Sequence, residues 1–266
     1  MPSALSTPRE PRLDIADTLA EAIFSGAYAS GDTIPREVDL CARFGVSRST
    51  VRSALQRLVN AGLVVRISGQ GTRVRELAAW HLLDPQVSAW MARYAQPNPA
   101  LTREVFAFRL AAEPYVAGLA AEQATAADLA SIESAFDGML ATLESPDLVW
   151  QGMSHDDYDV AFHEAIFAAS HNLIWAQISH VLKPAISMLV TRSNRSAGVL
   201  NDSMTRHRRM LEAIRLRQPA AASAAALAVL ERTATDLGLQ ELMQHRRALA
   251  FAGDTSSSSP ELGRDS

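Results

Sequence analysis

The chain has 266 residues, of which 48% are hydrophobic, and its formal net charge is −4. No apolar run is long enough to span a membrane, no secretory leader is recognisable, and the single cysteine, Cys41, excludes an intramolecular disulfide. We therefore expect a cytoplasmic protein with one large or two medium domains, preceded by a loose polar tail at residues 1–11.

Positive charge is concentrated in one part of the sequence. Residues 36–75 contain eight arginines and two carboxylates, whereas residues 77–266 contain fifteen cationic side chains and twenty-one carboxylates. A basic segment within an acidic chain indicates that this segment binds a polyanion and that the remainder does not.

The first predicted elements are two helices. Apolar residues recur at helical spacing between Leu13 and Ile23, and Gly26 ends this first helix. Pro35 is predicted in the first turn of the second helix, which Gly45 closes in a left-handed conformation.

The third predicted helix follows Ser47, which suits the N-cap position. Two short helices joined by a turn containing a glycine form a helix-turn-helix. One face of the third helix is apolar and predicted to be buried: Val51, Leu55, Leu58 and Val59. The opposite face, beginning at Arg48, is polar: Ser49, Arg52, Ser53 and Gln56. Arginine can bond guanine, glutamine can bond adenine and hydroxyls can hold phosphates, but an ordinary solvated face remains an equal alternative.

A wing is predicted directly after the third helix. Residues 63–67 (LVVRI) form a β-branched run, SGQG forms a turn, and TRVRE resumes with Val74 inward and Arg73 and Arg75 outward. A two-stranded hairpin in this position predicts a winged helix-turn-helix over residues 12–76.

Residues 31–74 resemble the DNA-binding domain of the GntR family of bacterial transcription regulators. The shared features are Gly31-Asp32, Pro35, Leu40, the GVSRSTVR segment, the AL..L...GLV pattern and a wing ending in G.GT.V. The resemblance implies a double-stranded operator as partner and assigns DNA contacts to the third helix and wing. We expect Arg48, Arg52 and Arg57 to face phosphate and guanine. The candidate DNA-binding residues are Arg36, Ser47, Arg48, Ser49, Thr50, Arg52, Gln56, Gly69, Gln70 and Gly71. Val38 stands where several members carry a DNA-contacting arginine.

Residues 77–100 are predicted to link two domains. They are too apolar for a free tether, so we expect a short helix or coil packed against one domain, with Pro97 and Pro99 at the boundary. Beyond them, at residues 101–249, we predict an antiparallel all-α bundle without strands, followed by a disordered tail at residues 250–266. The predicted helical stretches are 101–122, 126–144, 155–170, 173–193, 202–216 and 219–248. The fold class is therefore mainly α.

The second half resembles the helical FCD domain of the FadR subgroup of the same family. The segments FRLAAEPYVAGLAAEQAT, DYDVAFHEAIFAASHN and RHRRMLEAIRLRQPAAASAAA carry this resemblance, which covers almost all of residues 101–235. It implies a domain that binds a small effector and forms a homodimer.

Asp159 and His163 lie four residues apart and project from one face of a predicted helix. Completed by a histidine from another helix, such a pair can hold a divalent metal, although a structural Asp–His pair remains open. The resemblance matches Asp159, His163 and His207 to three metal ligands of the subgroup, while Val229 stands at the fourth position. Zinc is the first choice of metal, with manganese or nickel as alternatives, and direct hydrogen bonding to an effector without metal is also open.

A carboxylate effector is implied in the same domain. Arg109 and Glu113 form an i, i+4 pair, and the resemblance assigns the arginine to an effector carboxylate, which it binds as a two-pronged fork. Asn172 and Arg192 are further candidates for effector contacts. The AWHLLDPQVSAW and HEAIFAASHN segments resemble members that respond to sugar acids such as aldonates.

We predict a DNA-binding transcription regulator and not an enzyme. It would be a repressor, dimeric through its helical domain, in which a small carboxylate effector reorients the DNA-binding heads through residues 76–100. One alternative is a metal-dependent enzyme acting on small organic acids through Asp159, His163 and His207. Another is a regulator whose helical domain only dimerises.

Overall fold

The computed structural model describes residues 14–96, 98–181, 197–244 and 246, and the chain divides into two compact units at Asn98 and Pro99. In the described residues no helix combines the length and apolarity needed to cross a bilayer. The predicted fold class is confirmed: a winged helix-turn-helix is followed by a helical domain.

Within residues 14–96, the first unit contains four α-helices and three short strands. In chain order they are α1 (Ile15–Phe24), β1 (Thr33–Ile34), α2 (Glu37–Phe44), α3 (Arg48–Asn60), β2 (Val64–Ile67), β3 (Gly71–Val74) and α4 (Pro85–Tyr94), with a 3₁₀ turn at Leu77–Ala79.

The turn between α2 and α3 follows from two local signals. Gly45 adopts φ 64°, the left-handed conformation that ends α2, and the Ser47 hydroxyl accepts a hydrogen bond from the Thr50 backbone N–H. The prediction for Pro35 was wrong by two residues, because Arg36 occupies the N-cap and α2 begins at Glu37. The predicted buried face of α3 is largely present: Val51, Leu55 and Leu58 are buried, and Val59 is half-buried.

The wing belongs to a three-stranded antiparallel sheet in the order β1-β3-β2. Val64 pairs with Val74 and Ile67 with Gly71 across the hairpin, while Thr33 pairs with Arg73. The expectation of two strands was therefore incomplete, because it missed β1. A strand of two residues shows too little alternation of apolar and polar side chains to be recognised from the sequence.

Helix α4, in the stretch predicted to be a linker, packs against α1. Trp90 is buried, and its indole N–H donates to Oδ1 of Asp17 at 2.6 Å. The Tyr94 hydroxyl donates to Oδ2 of the same carboxylate, also at 2.6 Å. Upstream, the Trp80 indole donates to the Arg75 carbonyl oxygen. Residues 77–94 are thus held to the rest of the first unit by specific side-chain contacts.

Six helices of the second unit have both ends among the residues described. They are α5 (Pro99–Gln123), α6 (Ala126–Leu143), α7 (His155–Ala169), α8 (Leu173–Ile178), α9 (Ala197–Arg215) and α10 (Pro219–Leu237). The expectation of no strands was wrong, because Val149–Trp150 and Met153–Ser154 pair as a minimal hairpin before α7.

The last predicted helix was too long. It ends at Leu237 because Gly238 adopts φ 70° and caps it, and a further helical segment begins at residue 240. The stretch predicted as 173–193 contains α8 and a 3₁₀ turn at Ser179–Val181, while its remainder lies outside the described residues.

Packing of the second unit brings α5, α7 and α9 together. Helix α6 packs on α7, α10 packs on α5 and α9, and α5 contacts both α7 and α9. Capping boxes at Thr125 and Ser154 fix the starts of α6 and α7. Phe162 and Ile166 on α7 and Ile214 on α9 belong to one buried cluster, so polar side chains on the same helices are carried into the domain interior.

Candidate functional sites

The predicted DNA-binding residues all have exposed side chains or lie in exposed turns. They are Arg36, Ser47, Arg48, Ser49, Thr50, Arg52, Gln56, Gly69, Gln70 and Gly71. Most of them lie on α3 or in the turn of the wing, and Arg36 is the N-cap of α2.

Hydroxyl groups cluster at the start of α3. The Ser47 hydroxyl lies 2.8 Å from the Ser49 hydroxyl and 2.9 Å from the Thr50 hydroxyl. These groups surround the amino end of a helix, where backbone N–H groups and the helix dipole favour an anion such as phosphate.

The polar side chains farther along α3 differ in their partners. Arg52 donates through Nε to Oε2 of Glu37 at 2.8 Å, and Gln56 donates to Oδ1 of Asn60 at 2.8 Å. Arg48 has no hydrogen-bond partner among the residues described, so its guanidinium is available for an external anion. In the wing, Gly69 adopts φ 73°, a conformation in which glycine is favoured.

Arg57, which was predicted to face DNA, has partners within the first unit. Its Nη1 lies 2.9 and 2.7 Å from the two carboxylate oxygens of Asp14, the N-cap of α1. Its guanidinium also lies 5.9 Å from the centre of the Trp90 ring. Burial opposes ionisation of Asp14, but the Arg57 guanidinium and backbone N–H groups outweigh it and lower the pKa of this carboxyl. Arg57 therefore joins α3 to α1 and α4.

The second candidate site is a polar cluster inside the helical unit. Asp159 and His163 on α7 meet His207 on α9, and one potential ligand atom from each lies within 4.8 Å of the others. Nε2 of His207 is 3.0 Å, and Nε2 of His163 is 3.7 Å, from Oδ1 of Asp159. His163 and His207 are buried and Asp159 is half-buried.

The hydrogen bonds around these rings orient their Nε2 atoms. Nδ1 of His207 lies 2.9 Å from the Ser203 carbonyl oxygen, to which its N–H donates, and Nδ1 of His163 lies 3.4 Å from Oε2 of Glu113. In the neutral tautomers that these partners favour, both Nε2 atoms carry lone pairs.

Three buried acceptor atoms consequently face one another without hydrogen-bond partners. They are Oδ1 of Asp159, Nε2 of His163 and Nε2 of His207. Although His207 and Asp159 are only 3.0 Å apart, their orientation is not that of a hydrogen bond. A divalent cation satisfies all three acceptors, and this mixed nitrogen and oxygen donor set suits zinc, manganese or nickel. The residues present therefore fit a metal.

Electrostatics act differently on the three members of the cluster. Burial raises the pKa of Asp159, but His207, His163 and Arg109 outweigh burial and bring it well below its usual value. Burial lowers the pKa of His163, which keeps this ring neutral. Burial also opposes protonation of His207, but Asp159 outweighs it and raises that pKa, so a proton can take the place of a cation between the two side chains.

Arg109 and Glu113 lie beside the cluster in α5 and are both buried. Nε of Arg109 lies 2.5 Å from Oε1 of Glu113, and Nη2 lies 3.4 Å from Oε2. Glu113 thus bridges the arginine and His163. Sequence reasoning identified the Arg109–Glu113 pair from its i, i+4 spacing but missed the contact with His163, because nothing local connects α5 to α7.

The remaining candidates occupy different settings. Asn172 is exposed, and its side-chain oxygen caps α8 by accepting from the Ile174 and Trp175 N–H groups. Arg192 lies outside the described residues. His171, which precedes Asn172, is exposed, and its Nε2 lies 2.8 Å from Oδ2 of Asp128. Val229 is buried in the apolar core and supplies no ligand atom.

Comparison with known proteins accounts for both units. Residues 11–74 match the family described as bacterial regulatory proteins, gntR family, and residues 104–232 match the FCD domain. The chain is 29% identical over 217 residues to the galactonate operon transcriptional repressor of Escherichia coli, covering 81% of this chain and 92% of that protein. It is 30% identical over 226 residues to the uncharacterized HTH-type transcriptional regulator Mb0601 of Mycobacterium bovis, covering 84% and 90%.

A solved structure supports the fold. It is that of Lar, described as controlling the expression of the Listeria monocytogenes agr system, at 16% identity and a TM-score of 0.57, covering 86% of this chain and 98% of that chain. At this identity the likeness concerns the fold alone.

Proposed function

Because the chain belongs to the gntR family of bacterial transcription regulators and carries an FCD domain, we propose that it is a repressor released from its operator by a small carboxylate effector. It is not an enzyme, since its relatives are transcription regulators. The observation that carries the effector assignment is the set of three buried, unpaired acceptor atoms on Asp159, His163 and His207, with an arginine close by.

The proposed DNA contacts come from α3 and the wing. The amino end of α3 and Arg48 hold phosphates, Arg52 and Gln56 read base edges, and the turn at Gly69–Gly71 lies along the neighbouring backbone. Exposure of these residues and the hydroxyl cluster at Ser47 support this arrangement. A homodimer, typical of such regulators, presents two copies of α3 to a palindromic site in the cytoplasm.

The proposed effector site is formed by the buried cluster and Arg109. Asp159, His163 and His207 would hold a divalent metal, which would supply a Lewis-acidic anchor for an oxygen ligand. Since Val229 leaves the fourth protein position without a donor, oxygen atoms of an effector or of water complete the coordination. Arg109 is suited to the carboxylate of that effector because its guanidinium binds carboxylates through two parallel hydrogen bonds.

Arg109 is already paired with Glu113, which affects how an effector binds. A carboxylate that reaches Arg109 competes with Glu113 for the same donors, and Glu113 in turn lies against His163. Binding therefore rearranges contacts between α5 and α7. We propose that this rearrangement is the first step in lowering operator affinity, by favouring one of two conformational states.

The effector class is proposed to be the sugar acids. A relative named for the galactonate operon spans 81% of this chain. An aldonate has a carboxylate for Arg109 and several hydroxyl groups for a metal and the imidazoles. This combination matches the chemistry of the cluster better than a simple fatty acid, which has no further oxygen atoms to offer.

Ligand-dependent stabilisation tests this function. Full-length protein purified without chelator is assayed for bound metal, and its melting temperature is then measured with aldonates and short hydroxy acids. We expect about one metal ion per chain and a rise in melting temperature with at least one aldonate, because a ligand that binds only the folded state stabilises it. A metal-free protein that no acid stabilises would leave the helical domain without a sensing role.

A further inference from the structure

Glu37 occupies a distinctive position at the base of the DNA-binding face. Its Oε2 accepts the Nε–H of Arg52 at 2.8 Å, and its Oε1 lies 3.9 Å from Nη2 of Arg66 on β2. Nη2 of Arg66 also donates to the Arg52 backbone carbonyl at 3.4 Å. The Glu37 carboxylate is therefore held between an arginine of α3 and an arginine of the wing.

The contact with Glu37 leaves the two terminal nitrogens of Arg52 available. Among the residues described, neither terminal nitrogen of Arg52 has a hydrogen-bond partner, and 64% of the side chain is exposed. Because a guanidinium is planar, fixing Nε against Glu37 also sets the direction of the two Nη groups. That pair matches the O6 and N7 acceptors of guanine in the major groove.

A contribution to folding stability does not explain this contact. Ion pairs with such exposed side chains stabilise proteins little. A carboxylate on a surface that approaches DNA is also repelled by phosphates. An acceptor that orients Arg52 before binding does explain it, because an unrestrained arginine loses rotamer freedom when it binds a base.

We propose that Glu37 is the positioning residue for base recognition, holding Nε of Arg52 so that its terminal nitrogens face a guanine. This inference rests on the proposed role of α3 in reading the operator. It gives Glu37 an effect on which sequence is bound, whereas a residue that merely contributed charge would change affinity for all DNA sequences alike.

Selection from a random duplex library tests the proposal and identifies the bound motif in the same experiment. The full-length wild-type protein and the variants Arg52→Ala, Glu37→Ala, Glu37→Asp and Glu37→Gln are each used to select duplexes, which are then sequenced. Asp39→Ala is the matched control, since Asp39 is exposed, lies in the same first turn of α2 and carries the same charge.

We expect the wild type to select a motif containing a guanine whose preference Arg52→Ala abolishes. Glu37→Ala should weaken preference for that guanine about tenfold, the discrimination typical of a good base contact. Glu37→Asp should do the same, because its shorter side chain withdraws the acceptor while keeping the charge. Glu37→Gln should retain most of the preference, since its amide oxygen also accepts, and Asp39→Ala should retain all of it.

The outcomes separate this inference from the proposed function. If the wild type selects no motif, the proposed reading of DNA by α3 fails and the role of Glu37 fails with it. If Arg52→Ala loses the preference for a guanine but Glu37→Ala and Glu37→Asp both keep it, only the positioning role of Glu37 is overturned. Equal losses in Glu37→Gln and Glu37→Ala would assign the effect to charge and would also overturn it. Melting temperatures confirm that each variant is folded. If Glu37→Ala does not fold, Glu37→Asp alone tests the loss of the acceptor.

Discussion

Nε2 of His207 lies 3.0 Å from Oδ1 of Asp159, yet neither atom has a hydrogen-bond partner. The ring is turned into this position because its Nδ1–H is committed to the Ser203 carbonyl oxygen. Two acceptors brought together in a protein interior require a proton or a cation between them. This relationship connects the packing of α7 and α9 to the ligand chemistry of the domain.

Removing His207 should abolish stabilisation by metal. For the wild type, zinc at about one hundred times its dissociation constant should add about 2.7 kcal/mol, or roughly 5–10 °C in melting temperature. His207→Ala should show less than a third of this shift, while His171→Ala, which removes an exposed histidine outside the cluster, should match the wild type. Equal zinc-induced shifts in all three proteins, measured by differential scanning fluorimetry, would place the metal elsewhere.

Truncation of two arginines of α3 should affect different properties: DNA binding for one and folding stability for the other. Arg48→Ala should reduce the slope of log binding constant against log salt by about one, because it removes a phosphate contact. Arg57→Ala should leave that slope unchanged and reduce stability by about 1 kcal/mol, since Arg57 bonds Asp14 and lies over Trp90. Fluorescence anisotropy with a labelled duplex at several salt concentrations distinguishes them, and a reduced slope in Arg57→Ala would return this residue to the DNA-binding face.

Breaking the buried pair on α5 should be costly. Glu113→Ala leaves the Arg109 guanidinium buried without its partner, which predicts a loss of about 3–5 kcal/mol in the free energy of unfolding. The double variant Arg109→Met, Glu113→Leu should lose much less, because both charges are removed together. Urea unfolding measures both values. If the double variant is as unstable as Glu113→Ala, the loss in the free energy of unfolding comes from disrupted packing and not from an unpaired charge.

Substitutions of two helical glycines in the second unit can be compared directly. A Cβ at Gly118 makes only an ordinary contact with the Pro219 carbonyl oxygen, so Gly118→Ala should stabilise the protein by about 0.5–1 kcal/mol. A Cβ at Gly138 overlaps the ring of Tyr158, so Gly138→Ala should destabilise it by about 1–3 kcal/mol despite the same gain in helix propensity. Thermal unfolding compares the two, and a stabilising Gly138→Ala would contradict the tight packing of α6 on α7.

Local signals explain how much of this fold was predictable. Gly45 and Ser47 act on their own neighbours, so the end of α2 and the start of α3 could be read from the sequence. Gly238 was missed because helix-forming residues flank it on both sides, and a single glycine inside a helical pattern does not by itself mark an end. The strand Thr33–Ile34 exists only through its pairing with β3.

In the candidate sites too, features set by local spacing could be predicted, whereas contacts between distant elements could not. The spacing of Asp159 and His163 predicted a shared face, and the prediction of His207 came from family resemblance. Their convergence depends on how α7 and α9 each pack on α5 and α6. The role of Arg57 could not be foreseen, because its partner Asp14 lies 43 residues earlier in the chain. The contact of Glu113 with His163 and that of Glu37 with Arg52 likewise join different helices.

Control of DNA binding by an effector is tested most directly by the affinity for a selected duplex, measured with and without an aldonate such as galactonate in the presence of zinc. We expect the aldonate to lower operator affinity at least tenfold in the wild type and to have no effect in His207→Ala, which should still bind the duplex. Control of operator binding through this cluster would be contradicted if no aldonate changed the affinity of the wild type, or if His207→Ala responded as strongly as the wild type does.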